Sequence, residues 1–339
     1  MINATAAALL AFTVISGTTT DKLGHRIGGI SSLRWDAHRQ ELVALADRGP
    51  LDGTVEYSPR FHTFAVDFDG KDLRLTLKKT VAFTDAKGEP FSGRVETGRT
   101  RIDSEGLAIA PDGTLYVADE YGPYVYHFDR DGRMIGRLDP PDKYLPGERK
   151  GRVDNQGFEG LCITGDNRHL AALLQSPLSQ DGGRERGAKN RMVLYDLAVA
   201  TAPPTEYLVD MPVVRYMPKE WKMEPTELGL NECEGLSDSS FLILERDGRG
   251  LGADPGVNPA ATYKMIVRAR FERGVLIKEP YIDLVEVLGK AGFAPEAIPV
   301  KFESLAWGGP VSGPRLLWTA VDNDFDPDAP TYFFLLSAP

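Results

Sequence analysis

The sequence predicts an all-β chain folded as a β-propeller, and three observations lead there. One hairpin design recurs along the chain. Each copy opens on Ser or Glu and closes its second strand on acidic, amide or basic residues. The 35 glycines and 24 prolines are spread throughout, as many short strands and tight turns require. Repeated four-stranded antiparallel units cannot bury their faces alone, and packing them around an axis solves that problem.

The clearest copy runs Asp103-Ser104-Glu105-Gly106-Leu107-Ala108-Ile109, turns at Asp112-Gly113, and returns through Leu115-Tyr116-Val117-Ala118-Asp119-Glu120. Antiparallel pairing makes Glu105 and Glu120 neighbours at one end. Before it, Gly28-Gly29-Ile30-Ser31-Ser32-Leu33 and Leu42-Val43-Ala44-Leu45-Ala46-Asp47-Arg48 form a first hairpin, with outer strands through Phe64 and Leu75. After it come Phe158-Glu159-Gly160-Leu161, then Glu232-Cys233-Glu234-Gly235-Leu236, then Phe302-Glu303-Ser304-Leu305. Each is followed by a second apolar strand, ending respectively at Gln175, Glu245-Arg246 and Asp322-Asn323-Asp324. The result is one domain over 1–339, with units at 27–83, 105–138, 158–209, 232–285 and 302–336. The last lacks a strand, and residues 8–16 supply it, closing the ring. Five blades result, or six if residues 212–230 hide a weak one. Helix is expected only at 284–290. Asp67-Phe68-Asp69-Gly70 and Asp129-Arg130-Asp131-Gly132 resemble calcium loops but lack the full ligand pattern, and read as hairpin turns.

Bulk properties narrow the function. A net charge of −10 argues against nucleic-acid and anionic-membrane partners, since both are polyanions. An apolar fraction of 42% and a charged fraction of 26% are ordinary for a globular chain. No apolar run reaches transmembrane length. The only cysteines, Cys162 and Cys233, exclude a disulfide framework, and two buried free thiols are expected in preference to a bridge. The histidines, at positions 25, 38, 62, 127 and 169, are too scattered for a zinc site. There is no nucleophile elbow, P-loop or dinucleotide fingerprint.

The repeated acids carry the functional expectation. If the first strand of each unit lines the axis, Glu105, Glu159, Glu234 and Glu303 meet at one mouth, joined by the second-strand ends that include Glu120, Glu245 and Asp322. Crowded carboxylates need a cation, basic partners or retained protons. Hard oxygen donors in a flexible ring favour calcium, with Glu105, Glu159, Glu234, Glu303 and Asp322 as its ligands. Arg48, Arg152, Arg246 and Lys301 offer the rival solution, an arginine–glutamate network.

Taken together, Ile102-Asp103-Ser104-Glu105-Gly106-Leu107 with Ala118-Asp119-Glu120-Tyr121-Gly122, Asn155-Gln156-Gly157-Phe158-Glu159-Gly160-Leu161, Glu232-Cys233-Glu234-Gly235-Leu236 and Gly28-Gly29-Ile30-Ser31 with Ala46-Asp47-Arg48-Gly49 resemble the phytase-like family, described by esterase-like activity of phytase. More distantly the chain is similar to calcium-dependent propeller lactonases and paraoxonase-like hydrolases. The resemblance implies a propeller, a periplasmic or secreted location, and hydrolysis of an ester or phosphoester; a small-molecule substrate and a monomeric protein are expected beside it. On that scheme Glu120 or Glu245 is the general base, and Arg48 or Arg246 clamps an anion. The alternative is a non-catalytic module binding a small anion, sugar or peptide.

Overall fold

Alternation of apolar and polar residues, broken by glycine and aspartate turns, gives a chain of antiparallel meanders. The structure is a computed structural model and describes residues 6–95, 99–199, 201–212, 228–252, 260–311 and 315–339. An N-terminal strand, β1 (Ala8–Ile15), precedes the first meander of β2 (Ile30–Asp36), β3 (Glu41–Ala46), β4 (Arg60–Phe68) and β5 (Leu73–Ala82). The second comprises β6 (Ser104–Ile109), β7 (Leu115–Asp119), β8 (Val125–Phe128) and β9 (Met134–Leu138). The third comprises β10 (Phe158–Ile163), β11 (His169–Leu174), β12 (Lys189–Asp196) and β13 (Thr205–Asp210). The fourth comprises β14 (Gly229–Gly235), β15 (Ser240–Arg246), β16 (Lys264–Glu272) and β17 (Val275–Asp283). The last has β18 (Ala306–Trp307), β19 (Leu316–Ala320) and β20 (Thr331–Ser337).

As expected, the N-terminal strand completes the last sheet. β1 pairs antiparallel with β20 from Ala8 opposite Ser337 to Ile15 opposite Thr331, giving the order β1-β20-β19-β18. One feature departs from the expectation of separate four-stranded sheets. The third and fourth meanders merge into one eight-stranded sheet, because the outer strands β13 and β17 pair in parallel at Leu208 with Val275 and Val209 with Leu276.

Side-chain alternation packs the meanders against one another. Val43 and Leu45 of β3 enter a core with Leu107, Val117 and Phe128 of the second meander. Leu42 and Ala44 face the other way, toward Trp318, Phe333 and Leu335 of the last. Ala108 and Val125 pack on Leu161 and Leu170, and Ala171 and Leu173 on Ile243 and Phe241. Leu242 and Leu244 meet Leu317 and Phe334. These contacts run through the meanders in order and return to the first, an all-β arrangement consistent with a propeller.

Smaller expectations resolve as follows. Asp69 accepts the backbone N–H groups of Lys71 and Asp72, and Asp129 those of Asp131 and Arg133. Both loops are therefore hairpin turns with self-satisfied aspartates. Helix Leu284–Lys290 is present, capped by Asp283, whose side chain accepts from the Glu286 N–H at 3.1 Å. Cys162 and Cys233 are free and buried in one core. The weak sixth blade considered for 212–230 lies mostly outside the described residues. Among the described residues no helix is long and apolar enough to cross a membrane.

Candidate functional site

The site is built by bulges. Near the start of each long inner strand the register slips, between Ile30 and Ser32, Ser104 and Leu107, Phe158 and Gly160, and Leu230 and Glu232. A bulge leaves a residue out of the ladder and re-aims its side chain. Ser31, Glu105, Glu159 and Asn231 occupy these positions. Glu303 matches them, following the Phe302–Val321 bridge ahead of β18. The residues just beyond the facing second-strand partners are Asp47, Glu120, Gln175, Arg246 and Asp322. Residues of these sets touch within and between neighbouring meanders: Gln175 Nε2 donates to Glu159 Oε1 at 2.7 Å, Asn231 Nδ2 to the same oxygen at 3.3 Å, and Arg246 Nη2 pairs with Glu303 Oε1 at 2.5 Å.

This register corrects two assignments. Glu234 was aligned with Glu105 because both precede Gly-Leu, but the bulge places Asn231 in the ring and Glu234 three residues further along β14. There it lies 3.6 Å from Arg34. Glu245 is the ladder partner of Leu230, so its side chain turns to the opposite face from Arg246. It accepts from Tyr263 at 2.6 Å and pairs with Lys278, so it is not poised as a mouth base.

The densest acidic group is Asp103, Glu105 and Glu120, each offering one oxygen within 4.8 Å of the others. Asp103 and Glu120 are buried and Glu105 is half-buried. Asp103 takes the Arg48 guanidinium at 2.7 Å, and Arg48 also reaches Asp52 at 3.0 Å and Asn155. Burial, reinforced by the neighbouring acids, pushes the Glu105 and Glu120 carboxyls far above the usual range. Burial also raises Asp103, against the pull of Arg48. Asp47 is pushed far up by burial and by Asp322 and Asp103. Glu159 rises to about 8 through burial and Glu303. Glu303 itself is raised by burial despite Arg246. Asp322 moves the other way: burial raises it, but Lys301 at 3.3 Å and hydrogen bonds from Asp324 together pull it below the usual range.

Several buried polar atoms of these rings have no hydrogen-bond partner among the described residues: Ser31 Oγ, Glu120 Oε1, Glu159 Oε2, Asn231 Oδ1 and Arg246 Nε. All five sit at the bulge and second-strand positions, so the rings hold buried polar atoms with capacity to spare. Part of the expected arginine–glutamate network is present too, in the Arg246–Glu303 pair, while Arg48 pairs with Asp103 beside the ring.

Deeper along the inner strands the axis is plugged by a group that motif reading missed. Arg34 of β2 pairs with Glu232 at 3.1 Å and donates to the carbonyls of Leu33, Leu161, Cys233 and Leu305. Ser32 donates to Glu232 as well. Arg34 lies three steps along the strand from Ser31, about 10 Å, so it sits below the mouth. A lone arginine inside the apolar run Leu33-Arg34-Trp35 was the available signal. Asp103 was also passed over, although it lies two residues from Glu105, whereas Asp47 was expected at the mouth but not among the metal ligands.

Comparison with known proteins gives a family and a fold. The family model described as "Phytase-like: Esterase-like activity of phytase" matches residues 25–325. An "Uncharacterized secreted protein" of Arthroderma benhamiae is 36% identical, over 70% of this chain and 63% of its own. The chain thus spans less than two thirds of that relative's length. Among solved structures, an exo-β-1,3-galactanase from Phanerochaete chrysosporium superposes with a TM-score of 0.50 at 8% identity, over 95% of this chain and 63% of its own. A Dyadobacter fermentans protein of unknown function gives 0.46 at 11% identity, over 98% and 100%. Likeness at such identities concerns the fold alone.

Proposed function

We propose, from the premise that this chain belongs to the phytase-like family, that it is a calcium-assisted hydrolase of ester or phosphoester substrates working at the mouth of a five-bladed propeller. The carrying observation is the Asp103–Glu105–Glu120 cluster, whose oxygens lie within 4.8 Å of one another with Glu120 Oε1 unpartnered. Three hard carboxylates with a single guanidinium among them suit a divalent, oxygen-seeking cation, and these residues are its ligands. Asn231 and Ser31 add neutral oxygens around the ring. When bound, calcium supplies positive charge that polarises a substrate oxygen and acidifies water.

The chain's own groups do the rest. Glu159 has Oε1 fixed by Gln175 and Asn231, which leaves Oε2 to take and return a proton. It replaces Glu245 in that role. Arg48 orients Asp103, and Arg246 with Glu303 forms the opposite wall. The Arg34 plug bridges the inner strands below the mouth, so the substrate enters and leaves from the mouth side. The substrate is a small molecule, the protein acts as a monomer, and export is proposed from likeness to a relative named as secreted.

The test is turnover of aryl esters, lactones and phosphomonoesters, each with calcium and with chelator. Calcium-dependent turnover of at least one class is expected. No turnover of any class, or turnover indifferent to chelation, would refute the reading; ligand-induced stabilisation without turnover would favour a binding module.

A further inference from the structure

Beside the carboxylate cluster lies a second compartment. The segment Asp119-Glu120-Tyr121-Gly122 is the partition between them. Glu120 belongs to the cluster, whereas Tyr121, Tyr124, Tyr126, Arg101, Leu145 and Pro146 line an open cavity of about 570 Å³. That volume suits a small organic ligand.

The tyrosines are held in place. Tyr121 donates its hydroxyl to the Gly93 carbonyl at 2.8 Å, and the Arg48 and Arg101 guanidinium carbons lie 6.0 and 5.2 Å from its ring centroid. Tyr121 is therefore the wall shared with the mouth, where Arg48 meets Asp103. Tyr124 packs on Gly122, where a Cβ would fall 2.0 Å from its Cδ2, and Arg137 covers its ring at 4.1 Å. Tyr124 and Tyr126 meet edge to face with centroids 6.1 Å apart. Such a cluster offers ring edges and faces to a further aromatic group.

The charge of the lining adds a second requirement. Arg101 is exposed and spends an N–H on the Val95 carbonyl. Its planar fork can still bind a carboxylate or phosphate. Asp119, the acid in the wall, is turned into the backbone N–H groups of Asp103, Tyr121 and Gly122 at 2.8–3.0 Å. It is thereby kept from facing the ligand.

We propose that this compartment receives the non-reacting part of the substrate, and that this part is an aromatic ring bearing an anionic group. Its role in substrate choice rests on the hydrolase reading, but its occupancy does not. The experiment is titration of the full chain with benzoate, acetate and phenol, followed by calorimetry. Benzoate is expected to saturate one class of sites, with acetate and phenol at least tenfold weaker. Arg101→Gln should lower benzoate affinity to that of phenol while leaving phenol unchanged. Tyr124→Ala should weaken both, and Tyr124→Leu serves if the alanine variant does not fold. Benzoate binding no tighter than acetate, or unchanged in both the Arg101 and Tyr124 variants, would overturn the proposal. Failure of the hydrolase reading shows separately, as absence of turnover with benzoate binding intact.

Discussion

Replacing Arg34 by Met tests whether the axial plug holds the inner strands together. Arg34 reaches carbonyls of β2, β10 and β14 and of Leu305, and it is the counter-charge of a fully buried Glu232. Removing one partner of a buried ion pair costs about 3–5 kcal/mol, because the remaining charge is left uncompensated. Each buried carbonyl orphaned adds roughly 1–3 kcal/mol. Whole domains are stable by only about 5–15 kcal/mol, so Arg34→Met should consume most of that margin. Urea unfolding of wild type, Arg34→Met, Glu232→Gln and the double variant would measure it. The double variant should be more stable than Arg34→Met, since the glutamine carries no stranded charge and Ser32 can still donate to it. The coupling should be at least about 1 kcal/mol, within the range for residues in one network. A loss below about 1 kcal/mol for Arg34→Met, or additivity of the two changes, would refute the plug.

Two further outcomes follow from other groups. Calcium at a hundredfold excess over its dissociation constant should stabilise the chain by about 2.7 kcal/mol, and Glu105→Gln should abolish most of that shift in a thermal melt. A wild-type melt indifferent to calcium would remove the metal from the scheme. His62 gives a pH signature: burial holds it down to about 4, with Arg60 adding to the effect and Asp21 opposing it. The unfolded chain therefore takes the proton first, near pH 6.5, and stability falls as pH drops from there to 4, by about 3 kcal/mol in all. His62→Gln should unfold with a shallower pH dependence over that window, and identical slopes would contradict the assignment.

The repeat was legible in the sequence because strand formation follows local signals. Apolar second strands such as Leu42-Val43-Ala44-Leu45 recur in each unit, Asp-Gly turns close hairpins in the first two, and the N-terminal strand was assignable because one unit lacked a partner. The parallel contact of Leu208 and Val209 with Val275 and Leu276 left no such signal. It joins two outer edges that nothing in either strand marks as partners. At the site, residue type was legible and position was not. Glu105, Glu120, Glu159 and Glu303 were recognised as ring residues, whereas Glu234 and Glu245 were misplaced by a short shift. Side chains reverse face with every residue of strand, so a slip of one residue exchanges mouth for blade interior.

The bulges explain both the slip and the site. A regular inner strand would point alternate side chains into the packed faces between meanders, where Glu105 or Glu159 would lie among apolar side chains such as Leu107 and Leu161, away from the polar groups of the ring. The unpaired residue at the slip turns its side chain toward the axis without disturbing the apolar alternation on either side. One irregularity, placed at the same level of successive strands, thus converts a core-forming pattern into a ring of oxygens. It also predicts which substitutions the ring tolerates. Ser31 and Asn231 hold the bulge with short neutral side chains, so the position demands a polar group and not specifically an acid. The acids gather on the β6 and β7 side because Asp103, Glu105 and Glu120 share one hairpin end there, and that asymmetry puts the carboxylate cluster and the adjoining tyrosine compartment on the same side of the mouth.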